Sequence, residues 1–204
     1  KANGYGYWIE CPAFTPGLAA AAVSGVGAAH RAWITRLSNI APLIALVRDG
    51  ARAAYDESYG SVTLGRRGAP RIRYQLRPVD AQHLRESIVA SARIALAGGA
   101  REVLTLHARP LTVRRESDLV AVLSASVAPN DITLFSAHVN GTCRIGRDAR
   151  HAGVMPNGQV FGVRGLYVMD GSILPTAPGV NPQETIYAMA TVLSERLASE
   201  EHSR

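Results

Sequence analysis

The spacing of apolar residues changes several times along the chain, and each change predicts an element. YWIECPAFTPG near the amino terminus alternates aromatic and aliphatic side chains before two prolines, which predicts a strand ending in a turn. Residues 17 to 38 begin small and flexible and become amphipathic around Trp33, Ile34 and Leu37. A helix, a broken helix or a loop fits the early part of that stretch. IAPLIALVRDG, residues 40 to 50, is a continuous apolar run closed by Asp49-Gly50, which predicts a buried strand. SVTLG and RIRYQL flank RRGAP and predict two strands joined by a turn, the polar members of the second facing outward on one side.

Asp80 is placed to open a helix over DAQHLRESIVASARIALAGG, whose Leu84, Ile88, Ala92 and Ala95 recur at helical spacing before the Gly98-Gly99 stop. REVLTLHARP predicts a strand, and ESDLVAVLSASVA a short helix with Glu116, Ser117 and Asp118 at its electropositive start. A boundary falls near Pro129-Asn130. Beyond it, MPNGQV carries a hairpin signal, and Leu166 to Met169 read as a buried strand ending in Asp170-Gly171. The last helix has one apolar stripe of Ile186, Met189, Ala190, Leu193 and Leu197. Its start is well specified: Asn181 as N-cap, Pro182 as first helical residue and Glu184 as reciprocal partner in a capping box. Strands and helices alternate without a strict βαβ rhythm, so an α/β or α+β fold is expected, a mixed sheet with helices packed on it.

Composition narrows the class. With 204 residues, 47% of them hydrophobic, the chain can form one globular domain or two small ones. No run approaches the roughly 18 uninterrupted apolar residues of a membrane span, and KANGYGYWIE lacks the layout of a signal peptide. The chain does not start with methionine, so a processed product or one piece of a longer polypeptide is expected. Two cysteines, Cys11 and Cys143, make neither a disulfide framework nor a metal quartet and favour a reducing, cytoplasmic compartment, with room for peripheral attachment to a membrane. The formal charge of +6 and Arg66, Arg67, Arg71, Arg73 and Arg77 raise nucleic-acid binding as a reading. Low aromatic content and the lack of any accompanying motif favour a solvated arginine face or a protein interface instead.

The candidate chemistry lies in the last third. His138 sits in SAHVNGTCRIG after an apolar ITLF, where it can be a core histidine, a ligand or a base. A zinc site from His138, Cys143 and His151 would need a spacing that matches no common ligand pattern, and Ser172 lacks the G-x-S-x-G elbow of a serine hydrolase. Asp170-Gly171 at the carboxyl end of a buried strand is where open α/β sheets bind ligands, although the same dipeptide also marks an ordinary turn. The capped start at Asn181 would stabilise an anion through its N–H groups and dipole, while capping alone already explains the asparagine. His30, His83 and His107 read as structural.

HVNGTCRIG, the later GLYVMDGSILPT and the closing GVNPQETIYAMA resemble, in order and spacing, the carboxyl-terminal part of the glucose-methanol-choline flavin oxidoreductases. The GVNP form looks most like that of long-chain alcohol oxidases and cholesterol oxidases. APRIRYQLRPVD followed by a helix and GGAREV resembles the segment that precedes the histidine motif in that family.

The resemblance implies a substrate-binding region over residues 1–135 and, over residues 136–204, the carboxyl-terminal segment of a Rossmann-like FAD-binding domain. It implies oxidation of an alcohol CH–OH to a carbonyl with hydride passing to the flavin. His138 matches the histidine that takes the hydroxyl proton, and Asn181 the second polar group on the alcohol oxygen. Asp170 and Gly171 match the flavin-contacting corner; Asn181, Pro182 and Gln183 match the helix start facing the pyrimidine end of the flavin. Asn140 and Gln183 depart from the apolar residues that relatives often carry. The family's phosphate-binding G-x-G-x-x-G does not occur here, and GYG near residue 5 and GVG near residue 26 are no substitutes. An FAD-binding amino-terminal half, as a separate chain or a missing segment, is therefore the expected partner, beside a small-molecule alcohol. A non-catalytic binding subunit and a flavin-dependent lyase on the same scaffold are the alternatives.

Overall fold

The computed structural model describes residues 6–50 and 60–202. Its elements in chain order are β1 (Tyr7–Glu10), α1 (Pro16–Ala22), α2 (Gly27–Ile34), β2 (Ile44–Val47), β3 (Gly60–Leu64), β4 (Pro70–Tyr74), α3 (Pro78–Ala97), β5 (Val103–Leu104), β6 (Thr112–Val113), α4 (Leu119–Ser124) and α5 (Gln183–His202). The described strands pair as antiparallel ribbons, β1 with β2, β3 with β4 and β5 with β6. This is a mixture of helices and small sheets. The larger mixed sheet expected from the sequence is not formed by the described residues, where each strand of a sheet has a single partner. No described helix is long and apolar enough to cross a membrane. The chain divides into two compact units, Lys1–Val47 with Arg77–Phe135, and Arg48–Leu76 with Ser136–Arg204.

In the first unit, Thr15 caps α1 by accepting the Leu18 N–H at 3.3 Å, with Pro16 supplying a preset φ. Gly25 and Gly27, at φ +105° and +63°, then break the chain between α1 and α2, so the small-residue stretch is a broken helix. His30 Nε2 lies 3.1 Å from the Ala20 carbonyl and ties the two pieces together. Pro78, not Asp80, opens α3; Asp80 is buried within the first turn. The core is the stripe Val89 and Ala92 of α3 against Leu119 and Val122 of α4 and Val113 of β6. Serines on α3 do not disturb it, since Ser87 and Ser91 donate back to the Leu84 and Ser87 carbonyls at 2.7 and 2.8 Å.

The strand expected over REVLTLHARP shortens to β5 because Thr105 turns the chain. Its N–H donates to the Leu111 carbonyl and its Oγ1 accepts the Leu111 N–H, both at 3.0 Å. The same Oγ1 lies 2.8 Å from Nδ1 of His107, which is 4% exposed. Nε2 of that ring is buried with no hydrogen-bond partner. Burial pushes the His107 pKa down, Asp131 opposing the shift and Arg85 adding to it.

In the second unit, the β3–β4 register pairs Val62 with Ile72 and Thr63 with Arg71, around a turn in which Arg67 and Gly68 take φ +63° and +75°. Alternation places Val62, Leu64, Ile72 and Tyr74 on one face and Ser61, Thr63, Arg71 and Arg73 on the other. Every residue of both strands is exposed, so the expectation of one outward polar face covers only half of what is seen. Most of the AAYDESYG connection lies outside the described residues.

The unit's core is Val154, Ile173 and Leu193, with Cys143, Ile145, Val160, Val168, Met169 and Met189 packed around them. MPNGQV forms a tight turn: the Met155 N–H donates to Gln159 and the Gly158 N–H to Met155, both at 2.8 Å, with Gly158 at φ +84°. Leu166 to Met169 is not a buried strand. Tyr167 makes an isolated bridge with Gln159, and Leu166 is 50% exposed.

Two outcomes follow. Ile173→Ala, at 1% exposure, removes core volume and should cost about 2–5 kcal/mol in chemical denaturation, whereas Val120→Ala, at 66% exposure, should stay within about 0.5 kcal/mol. Because His107 binds its proton less readily folded than unfolded, its contribution to stability is complete above about pH 6.5 and falls as pH drops through its lowered folded pKa. Denaturation at pH 7.5 and 5.0 should show a smaller loss on acidification for His107→Gln than for the parent; equal losses would contradict this.

Candidate active site

The segment from His138 to Ile145 lies along the turn that follows Asp170. The Cys143 N–H donates to the Ser172 carbonyl at 3.0 Å, and the Ile145 N–H to Ile173 at 2.9 Å. At the head of this pairing the backbones come closer still. A Cβ on Gly171 would meet the Val139 carbonyl oxygen at 3.2 Å, Asn140 Oδ1 at 3.6 Å and Ile186 Cδ1, from the first turn of α5, at 3.0 Å. Glycine is required at 171 for this approach and not for a left-handed φ. The His138 turn, the Asp170-Gly171 corner and the start of α5 are therefore assembled around one missing side chain.

Asp170 is exposed, and its Oδ1 accepts the Ser172 N–H at 2.8 Å and the Ser172 hydroxyl at 2.5 Å. It holds the 3-10 turn Gly171–Ile173 from its cap position, an Asx arrangement. The aspartate thus builds the corner and keeps Gly171 in place. His138 is half-buried in the turn whose next two residues crowd Gly171.

The helix start is displaced by one residue from the sequence expectation. α5 begins at Gln183, and the Pro182 carbonyl accepts the Ile186 N–H at 2.8 Å, so Pro182 occupies the cap position and Asn181 stands just outside it. Proline is suited to that place, since its fixed φ leads into the helix and it brings no N–H of its own. Pro182 is buried and Asn181 exposed. Glu184 lies in the first turn, where its charge complements the dipole, and Gln183 Nε2 donates to the Tyr187 hydroxyl at 2.5 Å. On the inner face, Met189 and Leu193 anchor the helix in the core, as the apolar stripe predicts.

Two residues that sequence reasoning did not assign to the site belong to this region. Asn140 Oδ1 is buried with no hydrogen-bond partner beside Gly171. Its signal in the sequence was its departure, within HVNGTCRIG, from the apolar residue that relatives often carry. Arg48 donates from Nε to the Ala177 carbonyl at 2.7 Å and lies against Gly179, which sits at φ +88° two residues before Asn181. Its signal was an arginine closing an apolar run, which has no specificity. The resolved carboxylate shifts lie on exposed groups elsewhere: Arg150 holds Asp148 low, Arg93 holds Glu116 low, and the Arg114 backbone N–H holds Asp118 low.

Comparison with known proteins places this geometry in a family. Residues 56–190 match the model for GMC oxidoreductase, specifically its carboxyl-terminal part. An uncharacterized GMC-type oxidoreductase of Mycobacterium tuberculosis is 34% identical over 191 residues, covering 94% of this chain and 29% of that protein. A long-chain-alcohol oxidase of Arabidopsis thaliana is 30% identical over 203 residues, covering 93% of this chain and 25% of its own. A 6'''-hydroxyparomomycin C oxidase of Streptomyces lividus is 41% identical over 64 residues, 31% of this chain and 12% of that one. The chain thus spans less than a third of the length of these curated relatives. With the histidine turn, the glycine corner and the helix start packed in one unit and matched by these sequences, the chain belongs to the GMC oxidoreductase family, in its carboxyl-terminal part.

Proposed function

We propose that this chain is the carboxyl-terminal part of an FAD-dependent oxidoreductase that converts an alcohol CH–OH to a carbonyl, with His138 as base and Asn181 holding the reacting oxygen. The observation that carries the reading is the close packing at Gly171, where the residues following His138 meet the first turn of α5. The long-chain-alcohol oxidases among the relatives support an alcohol as donor. The partner is the amino-terminal FAD-binding half, present as a second chain or as further polypeptide. Its support is the short span of the relatives covered here and the exposed apolar face of the β3–β4 ribbon, since a two-stranded ribbon is marginal by itself. The free cysteines, Cys11 exposed and Cys143 half-buried, support a reducing compartment such as the cytoplasm.

The residues present fit a flavin. Asn140 Oδ1 is a buried polar atom in want of a partner beside Gly171, and the α5 start supplies the positive end of a helix dipole. Asp170, Gly171, Asn181, Pro182 and Gln183 would line that side. When bound, the flavin supplies the hydride acceptor. The imidazole of His138 accepts the hydroxyl proton as the carbon–hydrogen bond breaks, so the developing alkoxide never carries a full charge. The Asn181 amide donates to the same oxygen and aims the alcohol carbon without competing for the proton. The α5 dipole would favour negative charge on an acceptor held at the helix start, and the bare backbone at Gly171 lets the histidine turn approach that start closely.

In the complete enzyme, His138→Ala should lower the rate of flavin reduction by alcohol about 100- to 10,000-fold in stopped-flow absorbance, with flavin still bound. An unchanged rate would remove the base assignment. Gly171→Ala must displace Ile186 or the Val139 carbonyl and should cost about 1–3 kcal/mol in stability, together with loss of flavin from the purified protein. Full flavin content at parental stability would show that the corner does not face the cofactor.

A further inference from the structure

Arg48 makes two contacts with one short loop. Its Nε–H donates to the Ala177 carbonyl at 2.7 Å across 129 residues of sequence, and its side chain covers Gly179. A Cβ on Gly179 would lie 3.4 Å from Arg48 Cδ, 3.7 Å from Nε and 3.9 Å from Nη1, on a backbone already at φ +88°. The glycine of GVNP is called for by its left-handed φ, and Arg48 packs beside it at ordinary van der Waals distance. Arg48 is in turn adjacent to Asp49, whose carboxylate accepts the Tyr74 hydroxyl at the end of β4. The neighbouring residues Arg48 and Asp49 thus hold, one the loop before Asn181 and Pro182, the other the end of the β3–β4 ribbon.

We propose that Arg48 is a positioning residue: it clamps Ala177 to Gly179 and thereby sets where Asn181 stands at the head of α5. The functional part of this inference rests on the reading of Asn181 given above. The chemistry suits the task. A guanidinium offers a permanently charged donor that can hold a carbonyl while its stem packs beside the neighbouring glycine. A lysine would keep the charge but place no N–H at the Nε position. Helix α5 is anchored at its far side by Met189 and Leu193, so the loop before it is the part left for Arg48 to fix.

The test uses the complete enzyme, with hydrogen exchange of the peptide spanning residues 176–182 and flavin reduction by alcohol measured in parallel. Arg48→Met should raise amide exchange there at least about tenfold while a peptide from the second half of α5 is unchanged, with Arg48→Lys giving partial rescue at most. Tyr74→Phe, which leaves Arg48 in place, should give a smaller increase of about two- to fivefold. Arg48→Met should also slow flavin reduction about 10- to 100-fold per bound flavin. Combined with Asn181→Ala it should add little to the loss from Asn181→Ala alone, because both act through one group. Unchanged exchange, or losses that multiply in the double variant, would overturn the positioning role. If exchange rises but neither Arg48→Met nor Asn181→Ala slows flavin reduction, the clamp stands and the catalytic reading of Asn181 falls.

Discussion

The second unit depends on how closely two stretches of backbone can meet at Gly171. A side chain there would put a carbon 3.0 Å from Ile186 Cδ1 and 3.2 Å from the Val139 carbonyl oxygen, so one of these neighbours would have to shift by a few tenths of an ångström. The pairing of Cys143 and Ile145 with Ser172 and Ile173 extends from this contact, and it delivers Ile173 into the core beside Val154 and Leu193. One requirement for a missing side chain therefore serves both packing and placement. The same turn that seats the most buried isoleucine of the unit carries His138 five residues before Cys143.

Asp170 shows how a residue can belong to a site without its charge being available to a ligand. Its Oδ1 is committed to the Ser172 N–H and hydroxyl, so what it contributes is the shape of the corner. An exposed carboxylate with two local donors has no burial penalty to overcome, and the arrangement is inexpensive to keep. Asn140 is the opposite case. A buried amide oxygen without a partner is a cost of about 1–3 kcal/mol, and such a cost is tolerated where a ligand or another chain supplies the missing donor. The contrast leaves the residue with the more conspicuous charge bound into the corner and its plainer neighbour with an unmet acceptor.

Much of the helical structure was legible because helices are local. The spacing of Leu84, Ile88 and Ala92, and of Ile186, Met189 and Leu193, marks which face is buried, and those faces are the ones that pack. The strands were less legible because pairing is not local. VLTLH reads as a strand, yet Thr105 bends it by engaging Leu111, and the two-residue β6 that results has too little alternation to be seen. Leu166 to Met169 has strand composition, but a strand exists only against a neighbour, and within the described residues Gln159 alone bridges it. The motifs marked the His138 turn, the Asp170-Gly171 corner and the α5 start, which the structure packs together; they missed Arg48 because its partner is 129 residues away.

The start of α5 carries both kinds of information, and the displacement by one residue separates them. Were Asn181 the cap, its side chain would be bound to the helix it precedes, and capping would be a sufficient reason for an asparagine. With the Pro182 carbonyl receiving the Ile186 N–H, the proline holds the cap position and the asparagine is one step outside the helix, on an exposed position. Proline at the cap fixes the direction in which the chain leaves, and Gly179 with Arg48 fixes the direction from which it arrives. Asn181 thus stands between these two points. In the proposed function, the rigidity needed to orient a substrate oxygen would then come from neighbours that need not touch the substrate.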